Sequence, residues 1–300
     1  MRVRLTYDSL RKYLLKKVTS VVYIANLMHK KLLVGVSGGK DSAVAAHLLN
    51  LLREKFGFDI ELLHINLGIK GYSNDSLYSC KVLSKKLGLK LNVLDLKEEY
   101  GKGIDDLSVE LKGKGVPVCS ACGTIKRYLM NKFAFDHNFD FVITGHNLDD
   151  ESSFLLQGIK EQQVELLLRN NVFSPARLEF KLVAKAKPLY FIPEELIKKW
   201  ALMNDLPLVS AKCPHSVGNK QLINKEILEL INKKLNYKVD FRNSLVKTFF
   251  EIQRIMRNDS RDDSKDHITR LNTPKLKKCR VCGFATTTDV CRFCRIMGLG

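Results

Sequence analysis

Three hundred residues carry 50 Lys and Arg against 32 Asp and Glu, a formal charge of +18, and 45% of the chain is hydrophobic. That length fills one large core or a core with an appendage, and the composition excludes collagen-like, mucin-like and wholly disordered chains. No apolar run reaches the roughly 18 to 20 residues of a membrane span, and Met1 to Lys17 is charged throughout, so a cytoplasmic protein with no membrane association is expected. The surplus of basic charge draws polyanions, nucleic acid first and ATP-like ligands second, although a Lys-rich proteome would give the same surplus.

In chain order, Asp8 to Met28 spaces Leu10, Leu14, Val18, Val21, Val22 and Ala25 by threes and fours, which predicts an amphipathic helix over a sheet edge. Lys31 to Val36 reads as a strand, and Asp41 to Phe56 as a helix. Strands are expected again at Asp59 to Asn66, Leu91 to Leu96 and Phe141 to Thr144, with helices at Asp75 to Leu87 and Thr124 to Phe135. Such alternation predicts the α/β class, a parallel sheet covered by helices on both faces. Helical patterns follow at Asp150 to Arg169, Pro193 to Met203, Lys220 to Leu235 and Ser244 to Arg257. The expected organisation is a helical lead-in (1–30), an α/β domain with a helical C-terminal part (31–257), a polar linker (258–274) and a small terminal module (275–300).

Ser37-Gly38-Gly39-Lys40-Asp41-Ser42 stands between a predicted strand and a predicted helix. There the glycines let backbone amides reach a phosphate, and the helix start adds its unpaired N–H groups. An ordinary Gly-Gly turn would look similar, but Ser37, Lys40 and Ser42 add hydroxyls and a cation, and the strand's C-terminal end is where α/β proteins bind ligands. The spacing is not that of a Walker loop.

Cys119-x2-Cys122 precedes a predicted helix whose first turn holds Lys126 and Arg127, and Cys213 follows about ninety residues later. The pair alone suits a dithiol redox site or half a zinc site. Cys80 lacks partners at ligand spacing and reads as buried, and His29, His47, His137 and His267 read as structural. At the C-terminus Cys279-x2-Cys282-x8-Cys291-x2-Cys294 offers two half-sites for one structural Zn2+ in a segment too short to build its own core. From Lys275 to Gly300, six basic residues outnumber Asp289 alone, which suits RNA phosphates or, alternatively, a structural cap.

SGGKDS resembles the signature of the PP-loop ATP pyrophosphatases, which release pyrophosphate and transfer AMP to an oxygen. Together with CSACGTIKRYLMNKFA (119–134), TGHNLDDE (144–151) and Cys213-Pro214, in that order, it is similar to the tRNA 2-thiouridine synthetases of the TtuA and TtcA superfamily over roughly Lys31 to Ser216. The resemblance implies a [4Fe-4S] cluster on Cys119, Cys122 and Cys213 with one open iron, and catalytic roles for Lys126 and Asp150. It also implies a nucleotide bordered by Ser37 to Ser42, His64, Asn66, Gly145, His146 and Asn147, with ATP, Mg2+ and Zn2+ as cofactors. The implied partners are tRNA and a sulfur donor, either free sulfide or a ubiquitin-like carrier, and a paired terminal module is compatible with a homodimer. The N-terminal cysteine-rich zinc module usual in the uridine branch has no counterpart, since Met1 to Lys30 contains no cysteine. A PP-loop ligase forming an amide or lysidine, or a sulfur role outside tRNA, are the competing expectations. If the basic surface meets RNA, affinity should fall linearly in log–log with salt, by about 0.7 to 0.9 per phosphate neutralised, measured by filter binding; a flat response would exclude phosphate contact.

Overall fold

In the computed structural model, which describes residues 6–164, 167, 170–216, 220–237, 239–259 and 276–300, the run Lys31–Val36 forms strand β1 at the centre of a six-stranded sheet. Helix α1 (Tyr7–Ala25) precedes it, capped by the Thr6 hydroxyl, and helix α2 (Lys40–Phe56) follows, ending on Gly57 at φ +65°. Then come β2 (Asp59–Asn66), α3 (Ser73–Leu87), β3 (Leu91–Asp95), α4 (Leu96–Tyr100), α5 (Ile104–Glu110), α6 (Val118–Asp136), β4 (Phe141–Ile143) and α7 (Leu148–Lys160). Two short strands, β5 (Phe173–Ser174) and β6 (Ala184–Ala186), were not among the expected elements, since neither is an unbroken apolar run as β4 is. Helices Glu194–Met203, Lys220–Lys234 and Phe241–Asp259 complete the main body.

The order is β3-β2-β1-β4-β6-β5, parallel except for β5 against β6. Leu32, Val34 and Val36 face one core with α1, α2 and the helix Glu194–Met203, while Leu33 and Val142 face a second core under α5 and α6. This two-residue alternation on a strand covered on both sides is the α/β arrangement expected. Because β2 and β4 lie on opposite sides of β1, the chain reverses direction across the sheet there, and the loops leaving β1 and β4 flank a crevice.

Several expectations are corrected. Helix α1 lies on α2 and on Glu194–Met203 within the first core instead of along a sheet edge. Helix α6 begins at Val118 behind Pro117, so Cys119 and Cys122 lie inside it and Lys126 and Arg127 fall in its third turn. The low helix propensity of Cys, Ser and Gly had hidden that start. Helix α7 stops at Lys160, because Gln162 takes φ 53° and a turn intervenes before the expected end near 169. The last long helix runs to Asp259, two residues into the expected linker; 260–274 and His267 lie outside the described residues. Among the described residues no helix is long and apolar enough to cross a membrane.

Residues 276–300 form the hairpin of β7 (Lys277–Lys278) and β8 (Ala285–Thr286) and the short helix Arg292–Met297. Phe293, Cys294 and Met297 share a core with Ile125 and Leu129 of α6. In the opposite core Trp200 is fully buried, donates its indole N–H to His47 Nδ1 at 3.2 Å and stacks on that ring. Burial, and then Lys86, push the pKa of His47 from 6.5 down to about 4. A protonated Nδ1 could not accept that bond. The unfolded ring binds its proton near 6.5 and the folded ring only near 4, so stability should fall as pH drops through that window. His47→Gln should flatten that limb in urea unfolding followed across pH; an unchanged slope would show that His47 is not responsible.

Candidate active site at the switch point of the sheet

The loop after β1 is tied to itself and to α3. Ser42 Oγ donates to the Gly39 carbonyl at 3.0 Å and accepts the Ser37 N–H at 3.2 Å, and Ser76 Oγ donates to the Ser37 carbonyl at 2.8 Å. Gly38 takes φ +72°, and a Cβ there would lie 3.2 Å from the Ser76 backbone, so glycine is required on both counts. Gly39 caps α2 with no side-chain bond of its own, which leaves the first N–H groups of that helix directed at the crevice.

The loop after β4 presses against it. A Cβ on Gly145 would lie 2.7 Å from the Asp41 carbonyl carbon and the Ser42 nitrogen. Asn147, fully buried, donates from Nδ2 to Asp41 Oδ1 at 2.9 Å, while its Oδ1 accepts the N–H groups of Asp149 and Asp150 and so caps α7. One side chain thereby fixes the start of two helices. The half-buried ring of His146 is pushed down to about 4, by desolvation first and Lys187 second, and is neutral at pH 7.

A charge network closes one side. Lys40 Nζ lies 3.0 Å from Asp41 Oδ2 and 2.7 Å from Glu194 Oε1, and Lys225 Nζ lies 2.7 Å from both Glu194 Oε2 and Asp150 Oδ1. Burial opposes ionisation of Glu194, yet the bonds from Lys225 and Lys40 outweigh it and hold the carboxyl at about 2. Neither Glu194 nor Lys225 was singled out in the sequence, since each lies on a surface-like amphipathic helix. Only folding brings them to Asp150.

A cavity of about 410 Å³ opens between these loops and α6, walled by Ser37, Asp41, Ser42, Gly145, His146 and Asp150 on one side and by Cys122, Lys126, Arg127 and Cys213 on the other. Cys119, Cys122 and Lys126 recur at i, i+3 and i+7 and share one face of α6. The thiol of Cys119, exposed, donates to the His215 carbonyl at 2.7 Å, and His215 Nε2 lies 2.8 Å from Asp105 Oδ1, so the loop bearing Cys213 is tied to α6. Burial pushes the Cys122 thiol up, Lys126 pulls it down, and Cys213 and Cys119 add to the rise. Arg127 belongs to the wall as well and was passed over beside Lys126 in the same helix.

His64 borders the cavity and is 2% exposed. Its Nδ1 lies 3.1 Å from the Val36 carbonyl, which can only accept, so Nδ1 carries the proton. Nε2 is then a lone-pair acceptor, and among the described residues it has no partner. Cys80, also fully buried, sits 3.4 Å from His64 Nδ1 despite the distance between them in sequence, and burial pushes its thiol up to about 12. Asn66 is not brought to this cavity. It donates to Asp95 at 2.6 Å, accepts the Gly68 N–H, and lines a separate cavity beyond β2 and β3.

Among the described residues, the group of three or more Cys, His, Asp or Glu whose donor atoms all lie within 4.8 Å of one another is Cys279, Cys282, Cys291 and Cys294. That closeness suits four ligands on a single ion. Thiolates that each bind a different iron of a cluster need a wider spread, which leaves Cys119, Cys122 and Cys213 outside this criterion.

The contact at Gly145 gives a sharp expectation. Gly145→Ala should overpack the junction by roughly 1 to 3 kcal/mol and weaken ATP binding by about tenfold in calorimetric titration. Unaltered affinity would show that the two loops need not meet.

Residues 11–214 match the PP-loop domain family. The chain is 35% identical over 301 residues to the tRNA-5-methyluridine(54) 2-sulfurtransferase of Pyrococcus horikoshii, covering 99% of this chain and 89% of the relative. It is 31% identical to the tRNA 2-thiolation protein NcsA of Haloferax volcanii over 88% of this chain and 80% of the relative. In fold it is similar to the U34-tRNA thiolase NcsA of Methanococcus maripaludis, solved with its [4Fe-4S] cluster, with a TM-score of 0.77 at 24% identity, covering 96% of this chain and 87% of that one. A PP-loop crevice with cysteines on its far wall, matched across almost the whole chain by relatives of one activity, places this protein in the PP-loop tRNA 2-sulfurtransferase family of enzymes.

Proposed function

We propose that this chain is an ATP-dependent tRNA thiolase that activates O2 of a uridine by adenylation and replaces that oxygen with sulfur. The observation that carries the reading is the meeting of the SGGKDS loop, Lys126, Asp150, Cys122 and Cys213 around one cavity. The uridine O2 attacks the α-phosphorus of ATP, the bond to the bridging oxygen breaks and pyrophosphate leaves, while N3 gives up its proton. Sulfide then adds at C2, AMP departs with the former carbonyl oxygen, and N3 regains a proton as the thione forms. Oxygen and sulfur enter and leave at the same oxidation level, so no oxidant is needed.

In this reading the amides of Ser37 to Ser42 and the start of α2 hold the phosphates, and Asp41 and Asp150 are the carboxylates for Mg2+. Lys40 and Lys225, each now bonded to carboxylates, are the cations that would face the departing pyrophosphate. Lys126 polarises the uridine O2 from the cysteine face of α6. Gly145 and Asn147 keep the two loops in register, neutral His146 borders the nucleotide, and His64 Nε2 offers an acceptor to a donor on it. Asn66, facing another cavity, has no part. Cys119, Cys122 and Cys213 would hold a [4Fe-4S] cluster, which when bound would supply an iron free of protein thiolate to present the sulfide. Three thiols, two of them in the cavity wall beside Leu67, Ile69 and Met130, fit such a group in the chemistry of their donors. Cys279, Cys282, Cys291 and Cys294 fit a structural Zn2+.

The relatives weight the substrate toward 5-methyluridine at position 54, since those so named reach 35–36% identity against 31% for the NcsA relative. The donor is sulfide, free or released from a ubiquitin-like carrier, and the site of action is the cytoplasm. Cys213→Ala should abolish 2-thiouridine formation, read by nucleoside mass spectrometry, with ATP affinity retained, while Lys40→Ala should weaken ATP binding. Thiolation surviving in Cys213→Ala would remove the cysteines from the reaction.

A further inference from the structure

We propose that the terminal four-cysteine module is a strut for the cysteine-bearing start of α6, with Arg292 and Phe293 as positioning residues for Cys119 and Cys122. The inference rests on the cluster reading above. Cys291 caps the helix Arg292–Met297 by accepting the Cys294 N–H at 3.4 Å, so two of the four ligands bracket Arg292 and Phe293. A metal there fixes the direction of both side chains.

Each side chain lands on α6. Arg292 Nη2 donates to Ser120 Oγ at 2.9 Å, and Ser120 lies between Cys119 and Cys122. Phe293 is 2% exposed and stacks on Tyr128 of α6 with ring centroids 3.7 Å apart and planes 8° from parallel, with Tyr100 edge-on at 5.2 Å. Phe284 of the hairpin meets Tyr128 and Phe135 edge-on, and Lys181 lies over both Phe284 and Phe135. The module therefore grips α6 along its length, and among the described residues its side-chain hydrogen bond to the first turn falls on Ser120, between the two cysteines of the helix. Helix starts fray unless held. The first turn of α6 has no side-chain cap of its own, because Pro117 occupies the capping position. A thiol pair on that turn needs an outside hold to keep the spacing a cluster demands.

The test loads the full-length protein anaerobically with iron and sulfide and follows loss of the visible iron–sulfur absorption to an iron chelator. Wild type, Arg292→Ala, Ser120→Ala, the double variant and Phe293→Leu are compared, with ATP binding and thermal midpoint measured on each. Arg292→Ala should release iron roughly five- to tenfold faster, the scale of one lost solvent-exposed hydrogen bond, with ATP binding intact. Ser120→Ala should do the same, and the double variant should be no faster than either single one. Phe293→Leu should also accelerate release. Wild-type release rates in Arg292→Ala and Ser120→Ala, from a wild type that does take up iron, would overturn the strut alone. A wild type that takes up no iron would overturn the cluster reading and this inference with it.

Discussion

The site depends on one backbone approach, that of the turn after β4 to the phosphate loop after β1. Only glycine at 145 permits it, because any β-carbon would sit within 2.7 Å of the Asp41–Ser42 peptide. Asn147 then holds Asp41 from the other turn and caps α7 with the same side chain. The sheet supplies the reason the turns are adjacent. Strands β1 and β4 are hydrogen-bonded neighbours whose successors leave in opposite directions, so their exits share a crevice that neither could build alone.

Around that junction the charges alternate in a chain running Asp41, Lys40, Glu194, Lys225, Asp150. Each carboxylate is partly buried and would be costly without its ammonium. The arrangement keeps both lysines paired beside the loop after β1. The cysteine face of α6 lines the same cavity, so the loop after β1 and the thiols of Cys122 and Cys213 reach it from different elements.

How much of this was legible in the sequence follows from how local each signal is. The first three parallel strands announced themselves because five to eight consecutive residues carried one pattern, and β1 and β2 were read at their observed limits. The phosphate loop was visible because six adjacent residues do one task. The start of α6 was missed because Pro117 and Gly123 flank residues of weak propensity, and helix formation there depends on packing. Asn66 was misplaced because strand position does not say to which face of a strand end an amide turns. Glu194 and Lys225 left no trace, since an acidic and a basic residue on amphipathic helices look like solvated positions until the tertiary fold pairs them. The grouping of the four terminal cysteines was legible in their spacing, and the structure brings their sulfurs together, but the module meets α6 through Arg292 and Phe293, which look ordinary in the chain.

Lys225 lies past residue 214, where the match to the PP-loop domain ends. A fragment trimmed at that limit would keep every residue of the phosphate loop and strand Asp150 without its ammonium, and would also discard the arginine that reaches Ser120. The evolutionary unit and the working unit are thus not the same piece of polypeptide. Transplanting the recognisable portion onto another scaffold would carry the signature across and leave behind the counter-ion that keeps its acid in place.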